Sequence, residues 1–355
     1  VASKKECYEI RICQMSHFRK KLRIAVAVGK LLLAAVIVGY LVTKIQADAG
    51  FSRLYREPKN WPYIGTALGM VLIAFAASMT RWYLLVRGLG LTFHLRDAFR
   101  LGSLGFMLNQ IMPGSVGGDL FKAAFIAHEQ PGRRTEAVAS VFIDRFVGLV
   151  AMLVVASIAL VLAGQTLSAS SLLEGLRVFI WLSTLAGLGM MLLLTSRLVS
   201  GLKAQQLAGQ VPGIGHLLTR LVAGLEHFGS RRRYLFAAFA MAMTTHCLFV
   251  SGFWFISRGL PIKGPTFVQN ATIVPLALVA GAMPLTPGGL GLTETALARL
   301  YQNIGLQASD GALVALAYRA LTYVVAAVGA AYYLSAKRRF DLLLEEAEEL
   351  SAEIE

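Results

Sequence analysis

Charge is scarce in this 355-residue chain. Only 15% of its side chains are charged, while 56% are hydrophobic and the mean hydropathy is +0.62. A water-facing globule of this size does not hide so many apolar residues, so a soluble enzyme and a disordered tail are both excluded. Cysteine is nearly missing as well. Cys7 and Cys13 precede the first apolar run and Cys247 lies inside a later one, which implies no extracellular disulfide framework. Together with His17, the first two thiols make a poor metal centre, and reduced thiols with no metal are the expectation. A Ser-His-Asp order and a Walker loop are also missing, so no cofactor is expected. Acidic residues number 20 against 34 Lys and Arg, for a formal charge of +14. Without a basic soluble domain to carry it, that charge points to a lipid surface and away from nucleic acid.

What the chain does have is apolar runs long enough to cross about 30 Å of hydrocarbon. Six crossings are expected, near 24–43, 62–80, 138–163, 177–196, 234–256 and 312–335. The first lacks a small-residue cleavage site and is expected to be a retained span. Trp61, Trp82, Trp181 and Trp254 all lie near span ends, where an amphipathic ring is favoured. With the N-terminus inside, 23 Lys and Arg fall in cytoplasmic segments against eight outside, in keeping with the positive-inside rule. Both termini are therefore expected in the cytoplasm, and the cell (inner) membrane is the expected location.

Two uncharged stretches, 101–118 and 264–293, do not fit the six crossings. Each is interrupted by Pro and Gly, and its flanking charges place both of its ends on one side. Both are read as re-entrant hairpins, which survive at membrane depth only where protein or a wet cavity satisfies the backbone. At an ungapped offset of 174 residues, Gly90, Thr92, Phe93, Pro113, Gly114, Gly117 and Arg145 meet Gly264, Thr266, Phe267, Pro287, Gly288, Gly291 and Arg319. The resulting fold class is an all-α polytopic membrane protein with six transmembrane helices and two re-entrant helical hairpins in a 3+3 inverted repeat. Its parts are a basic cytoplasmic N-terminus (1–23), a membrane transport domain (24–335) and an acidic cytoplasmic helix (336–355). Repeat 1 covers about 24–163 and repeat 2 about 177–335, with a cytoplasmic amphipathic loop over 197–233.

A helix that starts at membrane depth after a Pro-Gly break offers unpaired amides and a positive dipole end, which suit phosphate or carboxylate. Candidate substrate-binding residues are therefore Asn109, Pro113, Gly114, Gly117, Gly118 and Asp119 in the first half. In the second half they are Pro287, Gly288, Gly289, Gly291 and Glu294. Asp119 and Glu294 fall in first turns, where a carboxylate can serve simply as a cap. Alternatively they pair with Arg145 or Arg319 and release them to an anionic headgroup. Asp144 and Arg145 are adjacent and point about 100° apart on a helix, so each needs its own partner. The arginines could also snorkel to the interface. At the end of the 197–233 loop, Arg231, Arg232 and Arg233 are candidates for holding anionic lipid at the cytoplasmic face.

The segments NQIMPGSVGGDLFKA, DRFVGL and PLTPGGLGLTE resemble the flippase-like family related to the transmembrane part of lysylphosphatidylglycerol synthase, also called multiple peptide resistance factor. The motifs concerned are Asn109, Pro113, Gly117, Gly118 and Asp119, then Pro284, Pro287 to Gly291 and Glu294, and the likeness covers most of 20–340. It implies a membrane domain that handles lipid headgroups. The synthases carry a large soluble transferase domain after the membrane part, whereas these residues end in a short acidic segment, so synthase activity is not expected of this chain alone. The expected function is translocation of a phospholipid or lipid-linked anionic headgroup. The alternatives are an intramembrane enzyme using Asp119 and Glu294 as acid and base, or an ion-coupled small-solute transporter. Substrate, direction, coupling ion and oligomeric state are not fixed by the sequence.

Overall fold

The computed structural model describes residues 39, 54, 56–111, 117–163, 171–195, 231–283 and 285–335. These residues form nine α-helices and no strand. In chain order they are α1 (Trp61–Gly88), α2 (Leu95–Ile111), α3 (Gly117–Glu129), α4 (Arg134–Ala163), α5 (Ser171–Thr195), α6 (Arg232–Gly259), α7 (Phe267–Ala282), α8 (Leu292–Asn303) and α9 (Ala308–Ser335). A short 3-10 turn, Pro287–Gly289, sits between α7 and α8.

Local chemistry accounts for several of the helix starts. Pro62 occupies the first turn of α1, where its missing N–H costs nothing. Before α7, Thr266 and Gln269 form a reciprocal cap: the Gln269 amide donates to Thr266 Oγ1 at 3.3 Å and the Thr266 amide to Gln269 Oε1 at 2.9 Å. Pro275 does not end α7 but lies inside it, removing one ladder bond.

Four helices are long and apolar enough to cross a membrane: Trp61–Gly88, Arg134–Leu162, Arg232–Gly259 and Ala308–Ala331. They cover four of the expected crossings. The expected crossing at 177–196 falls within α5, whose described apolar stretch, Arg177–Leu192, is shorter. The expected crossing at 24–43, the loop up to residue 230, and both terminal segments lie outside the described residues. On α5, Val178, Leu182 and Leu185 are more than half exposed, as lipid-facing side chains are. The chain is an integral, multi-helix membrane protein.

Hydropathy ends the second crossing at residue 80, but α1 continues to Gly88. Arg81 is therefore not a loop residue. It is buried, and so is Trp82 beside it, whose ring meets Phe93 edge-on at 5.1 Å instead of lying at the interface. The hydropathy window stops at a charge, whereas the helix continues because that charge has a buried partner.

The most extensive helix pair is α1 against α6. They run antiparallel. The Asn60 amide, before α1, donates to the Gly259 carbonyl at the end of α6, and Arg231, before α6, reaches the Arg87 carbonyl near the end of α1. One apolar core lies among α1, α2, α3, α4 and α6, with Trp82, Leu85, Ile126 and Val147 buried in it. A second lies among α4, α6, α7, α8 and α9, around Phe253, Val274, Leu297 and Tyr301. Helices α4 and α6 contribute to both, and so join the two halves.

Candidate functional site

Both expected hairpin stretches are helix, break, helix. In the first, α2 and α3 flank residues 112–116, so Pro113 and Gly114 lie outside the described residues. Glycine is required here by approach: a Cβ on Gly118 would overlap the backbone of Gly105, so only a bare backbone lets α3 lie this close to α2. Asn109, near the end of α2, accepts the Gly118 amide on Oδ1 at 2.7 Å, satisfying one donor at the start of α3. Gly117 is buried at the first position of that helix.

The second break is built on positive φ. Gly288, Gly289 and Gly291 take φ of 55°, 68° and 83°, a left-handed run that side chains resist. Pro287 opens the 3-10 turn and Gly291 is the N-cap of α8. Gly288 packs against Asn109 and Gln110, so the two breaks touch.

Each break is followed by an acid that holds an arginine from a long helix. Asp119, in the first turn of α3, accepts Arg145 of α4 on Oδ2, and its Oδ1 lies 3.6 Å from Lys122 Nζ. Glu294, in the first turn of α8, accepts Arg319 of α9 on Oε1 and the Gly291 amide on Oε2 at 2.8 Å. It thus both caps the helix and pairs with a cation. Arg319 goes further, donating Nη1 to the Gly288 carbonyl and Nη2 to that of Gly289, each at 3.1 Å. It ties the irregular turn together.

Asp144 has a different partner from its neighbour Arg145. It accepts Arg81 in a forked pair, Nε to Oδ1 at 2.7 Å and Nη2 to Oδ2 at 3.0 Å, the strong geometry for a guanidinium and a carboxylate. The position 174 residues later is Tyr318, which stacks on Phe253 at 4.2 Å. An ion pair in one half is thus matched by an aromatic stack in the other. His246 donates from Nε2 to the Gly148 carbonyl at 2.9 Å, as a neutral buried hydrogen bonder does.

A cavity of about 170 Å³ opens between the two breaks, and both Arg145 and Arg319 line it. Phe106, Gln110, Leu278, Tyr318 and Thr322 supply much of the remaining wall, mixing apolar surface with a few donors. Gln110 Nε2 donates to Thr322 Oγ1 at 3.2 Å, bridging α2 to α9 across this space. Of the sequence candidates, Arg145, Gly288 and Arg319 touch the cavity directly; Asp119 and Glu294 hold its arginines. Asp144 is not in the cavity wall among the described residues. Arg231, Arg232 and Arg233 lie apart from it at the start of α6, where Arg231 also closes the end of α1 through the Arg87 carbonyl.

Two residues escape the sequence-based assignment. Arg81 is missed because a charge at the edge of an apolar window looks like its end, although Trp82 to Val86 continue the run. Lys122 is legible only as a residue one turn after Asp119. Its ammonium is buried, 5.4 Å from the centroid of the Trp82 ring.

The fold and the site define a class: an integral helical membrane protein with paired charges around a small cavity inside its helical body. Within that class, the model of the lysylphosphatidylglycerol synthase transmembrane region matches residues 24–329, and the chain belongs to this family. A role connected with membrane lipid follows from that membership. No curated protein matches the chain.

Proposed function

We propose that the protein translocates a phospholipid or lipid-linked anionic headgroup, in the manner of a flippase, through the cavity between its two helical breaks. The observation that carries this reading is the convergence of Arg145 and Arg319, from two separate helix-break-helix units, on one cavity. A phosphate cannot enter hydrocarbon without such donors, and a guanidinium fork fits its oxygens. Phe106, Leu278 and Tyr318 beside them would accept the apolar part of the lipid.

Inverted halves with re-entrant hairpins give that cavity its two-sided access. The helix series supports the inversion: α1 and α6 have 28 residues each, α2 and α7 have 17 and 16, α3 and α8 have 13 and 12, α4 and α9 have 30 and 28. Packing follows the same exchange, with α2 against α9 and α7 against α4, and the equivalent α1 and α6 run antiparallel. With both termini cytoplasmic, single cysteines near Gly102 and Ala127 on a Cys-free background are expected to be labelled from the cytoplasm. Those near Gly264 and Asn303 are expected to be labelled from outside. Labelling of all four from one face would end the inverted reading.

The test of function is reconstitution of the purified chain in liposomes with labelled lipids of several headgroups, with lipid mass analysis and a soluble-solute arm. Headgroup-dependent movement of intact lipid is the expected result. Chemically altered lipid would point to an intramembrane enzyme, and movement of solute alone to a solute transporter. Anionic lipid at the cytoplasmic face is assigned to Arg231, Arg232 and Arg233, all exposed. Neutralising the three is expected to reduce co-purified anionic lipid, and high salt to mimic the change. An unchanged lipid profile leaves them with orientation and helix closure alone.

A further inference from the structure

The two arginines of the cavity have unequal surroundings. Arg319 is 11% exposed, and each of its three nitrogens donates to Glu294, Gly288 or Gly289. Moving it would strand two carbonyls of the second break. Arg145 is 49% exposed although its partner Asp119 is buried, so its guanidinium lies largely in the open space of the cavity. Their carboxylates differ too. Asp119 has a second cation within reach, Lys122 at the i+3 position. The residue three after Glu294 is Leu297, wholly buried in apolar packing.

Charge counting gives this difference a meaning. Arg81 and Asp144 cancel as a closed pair. Around the cavity there then remain Arg145, Arg319 and Lys122 against Asp119 and Glu294, one positive charge in excess. That excess equals the single negative charge of a phosphodiester. Lys122 is also held in place: its ammonium lies over Trp82, and its chain fits only because Gly105 has no side chain, since a Cβ there would lie 2.6 Å from Lys122 Cε.

We infer that Lys122 is a specificity-determining positioning residue: it keeps Asp119 neutralised while Arg145 turns into the cavity, so that the site takes one monoanionic phosphate. Arg319 stays in place to shape the second break. This rests on the proposed lipid-phosphate site and assigns its two arginines different roles. Without Lys122, Asp119 has Arg145 as its remaining ion-pair partner in this cluster, and binding phosphate would bury an uncompensated charge.

The test is binding of dioctanoyl phosphatidylglycerol to the purified full chain, with dioctanoyl glycerol as the uncharged comparison and inorganic phosphate as competitor. Lys122→Met is expected to weaken binding of the anionic lipid by about tenfold or more, the size of a modest change in a partly buried charge interaction. Asp119→Asn/Lys122→Met restores the single positive excess and is expected to regain binding. Asp119→Asn alone raises the excess to two and is expected to bind more tightly than the parent chain, so a Lys122→Met protein that fails to fold does not end the test. Wild-type affinity in Lys122→Met, or no recovery in the double variant, overturns the role of Lys122. If the parent chain binds neither lipid and Arg145→Gln changes nothing, the lipid-phosphate site itself falls. Competition by inorganic phosphate as strong as that of the lipid would assign the site to free phosphate and overturn the lipid source.

Discussion

Arg319→Gln is expected to lower folding stability by about 3–5 kcal/mol, because it leaves a buried carboxylate without its cation. Glu294 is 1% exposed and receives its charge compensation from Arg319. The same substitution releases the carbonyls of Gly288 and Gly289, whose left-handed turn has few other means of being held. Arg319→Lys is expected to recover only part of the loss, since an ammonium cannot reproduce a fork that reaches Glu294 and two carbonyls together. Arg319→Gln/Glu294→Gln is expected to regain most of the stability while lipid movement stays low, because the cavity has lost a cation. Denaturant titration in mixed micelles measures the first effect and liposome transport the second. Wild-type stability in Arg319→Gln would show that the pair is not holding the break.

The sites of the two breaks are legible in the sequence because their residues are rare in apolar runs. Pro, clustered Gly and an arginine inside a span stand out against Leu, Val and Ala, and they mark where the helices stop and restart. The full repeat is harder to read because its offset is not constant. Equivalent helix starts are separated by 171 residues for α1 and α6, 172 for α2 and α7, 175 for α3 and α8, and 174 for α4 and α9. An ungapped comparison at 174 therefore aligns Arg145 with Arg319 but sets Asp119 against Thr293, one residue short of Glu294. The structure shows both acids doing the same thing to those arginines.

Tertiary pairing is what the sequence does not display. Arg81 and Asp144 are 63 residues apart, and nothing in either segment names the other. Hydropathy assigns Arg81 to a loop, and the 100° step between Asp144 and Arg145 establishes only that their partners differ. The inequality between Arg145 and Arg319 is likewise invisible to spacing, since it depends on a cavity and on the buried Lys122. The local clue, Lys at i+3 from Asp119 and Leu at i+3 from Glu294, becomes informative once both carboxylates are known to hold an arginine.

The pair that lies off the cavity should behave in the opposite way to the pair that shapes it. Arg81 and Asp144 have side chains only 8% and 11% exposed and form a fork at 2.7 and 3.0 Å. Asp144→Asn is therefore expected to strand a buried guanidinium and to cost about 3–5 kcal/mol. Nearby Lys122 adds to that cost, since it shares the field of the lost carboxylate. Arg81→Met/Asp144→Leu removes both charges and fills the space with apolar atoms, and such replacements of a buried pair are often neutral or stabilising. The second half already uses that solution, placing Tyr318 on Phe253 at the corresponding level. The double variant should hence fold as well as the parent and still move lipid, because it leaves Arg145, Arg319, Lys122 and their acids unchanged. Stability measured in mixed micelles and transport measured in liposomes on the same proteins separate the two roles. A stable double variant that no longer moves lipid would draw Arg81 and Asp144 into the translocation pathway, and the distinction between a scaffold pair and a site pair would have to be given up.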